Sequence, residues 1–368
     1  MRTDHLLIIR FSALGDVAMT VPVVYSLAKQ YPELRITVLS RGFARTFFEF
    51  MPSNVGFMEV DFKKENRGIK GLNKLYRRLT AKHFTAVADL HGVLRSEYLS
   101  LRFRIDRCKV AVIDKHRKGK RRLVAMSDKQ LHQQPTSFRN YADVLARLGY
   151  PVKIEFGSLY DIVKADLTTL PSVLNCPREH NEVRIGIAPF AAHEGKIYPL
   201  RLMEKVIASL LERHTSYKIY LFGGGKSEMA VFNEWQSRFE RCICASSYAG
   251  GMRGELTFMS TLDIMISMDS ANMHLASLVG IPVVSIWGAT HPYAGFMGWG
   301  QSIDNAIQID LPCRPCSIYG NKPCMRGDYA CLKNISPEQI VEKVEDVIRL
   351  NKKAELHLDD DKRQLKYI

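Results

Sequence analysis

Leu6-Leu7-Ile8-Ile9, then Arg10-Phe11-Ser12-Ala13-Leu14-Gly15-Asp16, then Val17-Ala18-Met19-Thr20-Val21-Pro22 read as a strand, a turn and the start of a helix. The helix is predicted to run towards Lys29. A strand, a tight glycine-containing turn and a helix make the opening unit of a doubly wound α/β fold. Folds of that kind bind ligands at the carboxyl ends of their strands. Asp16 is the one acid in the turn, so the turn sets a single carboxylate at the mouth of the sheet, where a general base would stand. The competing reading is that Asp16 caps the helix.

The same rhythm continues outward from this unit. Arg35–Leu39, Ala86–Leu90 and Val110–Ile113 read as strands, with helices over 68–81 and 137–148. Strands alternating with helices imply a parallel sheet. Residues 166–182, with Pro171 and Pro177, read as a linker. After them the pattern restarts with strands at Val183–Ile187, Lys218–Phe222, Ile264–Ser267 and Pro282–Ile286 and a helix over Leu202–Glu212. Ser336-Pro337-Glu338 opens a helix expected to end near Lys353. The expected organisation is therefore a first domain over 1–165, a linker over 166–182, a second domain over 183–350 and a polar, fraying tail over 351–368.

With 368 residues the chain is long enough for two full cores. No run of eighteen apolar residues exists, and Arg10 ends the first apolar run too early for a signal-peptide core, so a cytoplasmic protein is expected. The net charge of +14 is concentrated. Residues 1–165 hold 30 Lys and Arg against 15 Asp and Glu, whereas residues 166–368 hold 22 against 23. The densest part is Arg117-Lys118-Gly119-Lys120-Arg121-Arg122. Such a field attracts an anionic partner, and the charge alone leaves nucleic acid, an anionic lipid surface and a phosphorylated substrate open.

Three stretches fall at strand ends in the second half. They are Ala188 to Lys196, the turn Gly223-Gly224-Gly225 with Glu228 behind it, and Ser267-Met268-Asp269-Ser270-Ala271-Asn272-Met273-His274. In the third, a strand meets a helix through small polar residues. Such a helix start offers free backbone N–H groups and a positive dipole end to a phosphate. Lys196 could add a point charge, and the glycines let the backbone approach a ligand.

At these residues the chain resembles glycosyltransferase family 9, the heptosyltransferases of lipopolysaccharide core assembly. Ile9-Arg10-Phe11-Ser12-Ala13-Leu14-Gly15-Asp16-Val17 is similar to that family's N-terminal motif. The stretch from Asp269 to Ala276, continued by Gly280-Ile281-Pro282-Val283-Val284 and Trp287-Gly288-Ala289-Thr290, is similar to its donor-site motif. The resemblance implies the GT-B architecture, two facing Rossmann-like doubly wound domains with a central cleft. It implies Asp16 as catalytic base and Lys196 as the lysine facing the donor diphosphate. It implies Ser12, Gly15, Gly224, Glu228, Asp269, Ser270, Ala271 and His274 on the donor side. Ala271 stands where the family usually has glycine. His91 and Arg95, following Asp89, resemble the acceptor-side wall, and Arg117, Lys118, Lys120, Arg121 and Arg122 are candidates to meet an anionic acceptor.

The implied reaction is inverting transfer of a heptose or related sugar from an ADP-sugar to the lipopolysaccharide core, without metal or cofactor. It implies an anionic glycolipid acceptor and a peripheral position at the inner membrane. Another nucleotide sugar is the nearest alternative. A nucleic-acid partner is not expected, because the basic run lacks interleaved aromatics and any familiar binding module. No Gly-x-Gly-x-x-Gly follows the first strand, which argues against a dinucleotide oxidoreductase. Cys313, Cys316, Cys324 and Cys331, in the pattern Cys-x2-Cys-x7-Cys-x6-Cys, could build a structural zinc site. The expectation favoured is a reduced loop packed by its own cysteines and Tyr319.

Overall fold

The computed structural model describes residues 4–364. The chain divides into two compact units. The first takes the chain up to Leu123, then Leu131–Lys164 and Tyr293–Trp299. The second takes Val124–Gln130, Ala165–Pro292 and the chain from Gly300 onward.

The first unit is a five-stranded parallel sheet with the order β3-β2-β1-β4-β5. Its strands are β1 (His5–Ile9), β2 (Arg35–Ser40), β3 (Val55–Glu59), β4 (Ala86–Asp89) and β5 (Lys109–Val112). Its helices are α1 (Leu14–Ala18), α2 (Val21–Gln30), α3 (Arg45–Phe48), α4 (Gly68–Thr80), α5 (Leu94–Ile105), α6 (Arg117–Leu123) and α7 (Ser137–Arg147). β1 is buried along its whole length, as a central strand covered on both faces must be. Leu7, Ile9, Leu39, Leu75, Leu79, Val87, Leu99 and Phe103 meet in one core. Truncating a side chain such as Ile9 to alanine would cost ~2–5 kcal/mol.

Two local differences from the sequence-based expectation have simple causes. The helix expected to run from Val17 to Lys29 is two helices, because Pro22 has no N–H to donate and its ring would clash with the Ala18 carbonyl. The Thr20 hydroxyl closes the break by donating to the Val17 carbonyl at 2.7 Å. The chain also changes units more than once. Tyr293–Trp299 belongs to the first unit, where the Tyr293 carbonyl accepts from Gln134 N–H at 2.8 Å and the Trp299 indole donates to the Phe156 carbonyl at 2.8 Å. Gly295 makes this possible: its φ is +85°, and a Cβ there would stand 2.4 Å from the Pro135 carbonyl oxygen.

The second unit is a six-stranded parallel sheet with the order β11-β10-β9-β6-β7-β8. Its strands are β6 (Val183–Ala188), β7 (Tyr217–Leu221), β8 (Cys242–Cys244), β9 (Ile264–Met268), β10 (Val283–Ile286) and β11 (Ala306–Ile307). Its helices are α8 (Leu200–Arg213), α9 (Lys226–Arg238), α10 (Ala245–Tyr248), α11 (Met252–Met259), α12 (Ala271–Leu278), α13 (Ala330–Lys333) and α14 (Pro337–Gln364). The last helix passes the end expected near Lys353, since Ala354, Glu355 and Leu356 favour helix and neither Gly nor Pro follows. The rest of the expected tail, 365–368, lies outside the described residues. Among the described residues no helix is long and apolar enough to cross a membrane.

In each sheet the strand order reverses once, between β1 and β4 and between β6 and β9. These are the switch points at which open α/β sheets bind ligands beyond the strand ends.

Candidate active site

At the first switch point, β1 delivers Arg10 and Asp16 and β4 delivers Asp89 and His91. Asp16 sits in the first turn of α1, and its Oδ2 accepts from the Ala13 backbone N–H at 3.1 Å. The capping reading is thus realised in part. The same oxygen lies 2.6 Å from the Arg10 guanidinium, and the Asp16 side chain keeps 32% of its exposure against 9% for Arg10. Arg10 is fixed from behind by donating to the Leu90 carbonyl at 2.7 Å. Tyr141, buried, donates to the Asp16 carbonyl at 3.2 Å. The carboxylate is therefore oriented by a buried cation and stays open to solvent.

Asp89 builds the turn after β4. Its Oδ1 accepts from the N–H groups of His91 and Gly92, both at 2.9 Å, and its Oδ2 accepts from the Ser100 hydroxyl at 3.2 Å. This turn holds the His91 ring against Phe11, whose N–H donates to His91 Nδ1 at 3.4 Å. Burial, then the charge of Arg10, pulls the His91 pKa down to about 3, so the ring is neutral at physiological pH. Beside it opens a cavity of about 250 Å³ lined by Phe11, Ser12, Arg41, Asp61, Phe62, Lys63, His91, Val93 and Arg95. Arg95 lies over the Phe62 ring at 4.7 Å. His91 and Arg95, read from the sequence, are brought together here, and Ser12 lines the same cavity. Arg10, Arg41 and Lys63 were not singled out by sequence, although Arg10 and Arg41 follow β1 and β2 directly.

The basic run Arg117 to Arg122 is the helix α6, and this divides it. Arg117, Lys118, Arg121 and Arg122 are exposed, while Lys120 and Leu123 are buried. Lys120, which the sequence groups with its neighbours as a candidate to meet an anionic acceptor, is therefore no part of the exposed basic face. It is only 8% exposed, with its ammonium over the Phe296 ring at 4.4 Å. Burial lowers its pKa to about 8, against the raising influence of the Asp16 carboxylate.

At the second switch point, β6 leads to Lys196 and β9 to Asp269. Their side chains pair at 3.0 Å and are 16% and 6% exposed. Ser270 is the N-cap of α12, but its side chain makes no capping bond; its hydroxyl lies 3.3 Å from that of Ser267. The first N–H groups of α12, at Ala271, Asn272 and Met273, are thus left without a side-chain cap, next to a lysine. His274 is buried in the next turn. Gly320, at φ +73°, lies across the Lys196 stem, where a Cβ would stand 2.4 Å from the lysine Cγ. Glu228 turns back on the glycine turn, its Oε2 accepting from Gly224 N–H at 2.7 Å.

The cysteine-rich loop is anchored to the donor-type motif. Buried Arg314 donates to the carbonyls of Gly288 at 2.7 Å and Thr290 at 3.0 Å. Cys313, Cys316, Cys324 and Cys331 line one cavity of about 20 Å³. All are free thiols, and among the described residues no three His, Cys, Asp or Glu side chains are grouped so as to hold a metal ion.

Residues 72–324 match the family model described as glycosyltransferase family 9 (heptosyltransferase). The chain belongs to glycosyltransferase family 9. It is similar to lipooligosaccharide heptosyltransferase 2 of Campylobacter jejuni, with 21% identity over 91% of this chain and 96% of that protein. It is also similar to lipopolysaccharide heptosyltransferase 3 of Escherichia coli, with 24% identity over 80% and 85%. A family 9 glycosyltransferase from Veillonella parvula shares the fold with a TM-score of 0.71 and 20% identity over 95% and 98% of the two chains. The E. coli heptosyltransferase WaaC, solved with ADP, does so with a TM-score of 0.66 and 17% identity over 93% and 99%. The family 9 chain is a glycosyltransferase of the GT-B class, built from two Rossmann-like α/β domains.

Proposed function

We propose that this enzyme transfers a heptose from an ADP-sugar to an anionic lipopolysaccharide-core acceptor. The observation that carries the reading is the second switch point, where the Lys196 ammonium is held by Asp269 beside the uncapped start of α12. A lysine and a row of backbone N–H groups suit a diphosphate that gains charge as its bond to the sugar breaks. The relatives named heptosyltransferase, and one solved with ADP, support this donor class.

In the proposed reaction the second unit holds the nucleotide sugar and the first holds the acceptor. The Asp16 carboxylate takes the proton of the acceptor hydroxyl. The acceptor oxygen forms its bond to the anomeric carbon on the face opposite the leaving group, and the bond from that carbon to the diphosphate oxygen breaks. The electron pair leaves with ADP, whose charge meets Lys196 and the start of α12. His274, Gly224 and Glu228 complete the donor side. Arg41, Lys63 and Arg95 around the cavity beside His91 suit the phosphates or carboxylates of the acceptor. The chemistry of these side chains needs no metal, and the acceptor sets the enzyme at the cytoplasmic membrane surface.

A thermal-shift panel of nucleotide diphosphates and their sugars tests the donor. ADP and ADP-heptose are expected to stabilise the protein, by about 2.7 kcal/mol at a hundredfold excess over Kd. Greater stabilisation by UDP compounds would overturn the ADP assignment and leave the architecture in place.

A further inference from the structure

α5 is apolar on two sides, and only one side has a partner in the fold. Leu99 and Phe103 face the core of the first unit, with Ser96 and Ser100 beside them. Leu94, Leu101 and Ile105 fall together on another side of the same helix, and Tyr98 between them packs half-buried against that core. Leu94 is 86% exposed, Leu101 54% and Ile105 67%. The stripe spans about 16 Å of helix. α4 lies alongside, tied by Asn73 Oδ1, which accepts from the Tyr98 hydroxyl at 2.6 Å and from Arg102 at 2.8 Å. Its first turn adds Ile69, 68% exposed. An apolar stripe along a helix is normally buried against a partner. α5 carries its second stripe on the protein surface.

The surroundings of the stripe identify its occupant. Residues 63–109 contain 13 Lys and Arg against 4 Asp and Glu. Lys70, Lys74 and Arg77 on α4 and Arg104 on α5 are exposed; Glu97 is the acid on α5, and Asp106 follows its last residue. Apolar residues projecting from a cationic surface match the interface of a bilayer rich in anionic lipid, where apolar side chains enter the headgroup boundary and lysines and arginines meet phosphates. A second copy of this chain is a poorer occupant, because a two-fold contact would set this cationic face against itself. Nucleic acid would meet the charges and leave the leucines unsatisfied.

Position supplies the last argument. Both helices follow parallel strands, so both begin at the carboxyl ends of the sheet. Ile69 and Leu94 therefore stand at the edge where the cavity lined by Lys63, His91 and Arg95 opens. We infer that the outer face of α5, with Ile69 of α4, docks this enzyme on an anionic membrane surface and presents the acceptor cavity to lipid-anchored substrate. This rests on the proposed glycolipid acceptor, but its test does not need turnover.

The test is co-sedimentation with phosphatidylcholine vesicles made with and without phosphatidylglycerol. The wild-type protein is expected to sediment with the phosphatidylglycerol vesicles and to be released by salt. Leu94→Ser with Leu101→Ser and Ile105→Ser should weaken that binding roughly tenfold or more. The triple variant should keep wild-type thermal unfolding and wild-type turnover of an O-deacylated lipopolysaccharide-core acceptor, and lose turnover of acceptor embedded in vesicles. Lys74→Glu with Arg104→Glu, which leaves the apolar stripe intact, should remove the preference for phosphatidylglycerol. Wild-type protein that stays in the supernatant, or equal vesicle binding by wild type and triple variant, would overturn the inference. So would a wild-type dimer that the triple variant splits. If no heptose donor supports turnover while the vesicle difference persists, the donor reading fails and the docking face stands.

Discussion

The two switch points use the same pair of charges to opposite ends. In the first unit a buried arginine holds an aspartate that remains one-third exposed, Arg10 to Asp16 at 2.6 Å. In the second a buried aspartate holds a lysine, Asp269 to Lys196 at 3.0 Å, and the carboxylate is the hidden partner. The group left accessible tells the two sites apart. An accessible carboxylate can take a proton, and an ammonium at an uncapped helix start can meet a leaving phosphate. Parallel sheets with reversing strand order made both positions; which partner is buried decides which charged group is left accessible.

The largest test of that contrast is Asp16→Asn. The amide preserves the shape and can still sit beside Arg10, but it cannot accept a proton. Turnover should fall by ~10²–10⁴ while ADP stabilises the variant as well as the wild type. Wild-type turnover would reduce Asp16 to its bond with the Ala13 N–H.

The second test breaks the other pair. Lys196→Ala leaves Asp269 as a buried, uncompensated carboxylate, so stability should fall by about 3 kcal/mol along with the affinity for ADP. Adding Asp269→Asn should restore much of the stability and none of the ADP affinity. If the double variant regained ADP binding, Lys196 would be a structural partner of Asp269 and not a phosphate ligand.

The parts of this comparison that were legible in the sequence are the local ones. β1, its turn and Asp16 are consecutive, and so are β9, Asp269 and the start of α12. Arg10 reads in sequence as an interruption of an apolar run, because Leu90, whose carbonyl fixes its guanidinium against Asp16, lies 80 residues away on a segment brought alongside by the sheet. Arg41 directly follows β2 and Lys63 comes a few residues after β3, so Arg41 stands at a strand end like Arg10. β3 is hard to read in sequence because Val55-Gly56-Phe57-Met58-Glu59 is an edge strand with Met58 alone buried and a glycine inside it. β8 is three residues long and has no period to read. The basic run reads in sequence as a linear charge, and the helical repeat of α6 puts Lys120 on the buried side with Leu123.

A third test uses the neutral histidine beside Asp16. His91 has its pKa lowered to about 3 in the folded protein, against an ordinary value of 6.5. Above pH 6.5 the ring is neutral folded or unfolded and adds no pH dependence. As the pH falls from about 6.5 towards about 3, the unfolded chain gains a proton that the folded one refuses, so stability declines by at most about 1.4 kcal/mol per pH unit from this group. His291, lowered to about 4, and His5, also lowered, act in the same direction. His91→Asn should therefore shallow the loss of thermal stability between pH 6.5 and pH 5 without abolishing it. Parallel stability curves for wild type and variant would mean that the ring is protonated in the folded protein, and that the Phe11 N–H does not bond to Nδ1.

The smallest expected effect concerns α6, where exposed and buried charges stand on one helix. Arg117, Lys118, Arg121 and Arg122 lie in water, where a charge pair is worth ~0–1 kcal/mol and is screened by salt. Replacing these four with glutamine should raise the acceptor KM a few-fold at low ionic strength, flatten its salt dependence and leave the donor KM alone, since the residues from 166 onward carry almost no net charge. Lys120→Met should behave differently. Its ammonium is buried over Phe296 and feels the Asp16 carboxylate, so salt cannot screen what it does. Any change it causes should be the same at low and high salt and should fall on kcat more than on the acceptor KM. A salt-dependent KM effect from Lys120→Met would return it to the exposed basic face. Equal losses for donor and acceptor in the four-residue variant would mark a folding defect in α6.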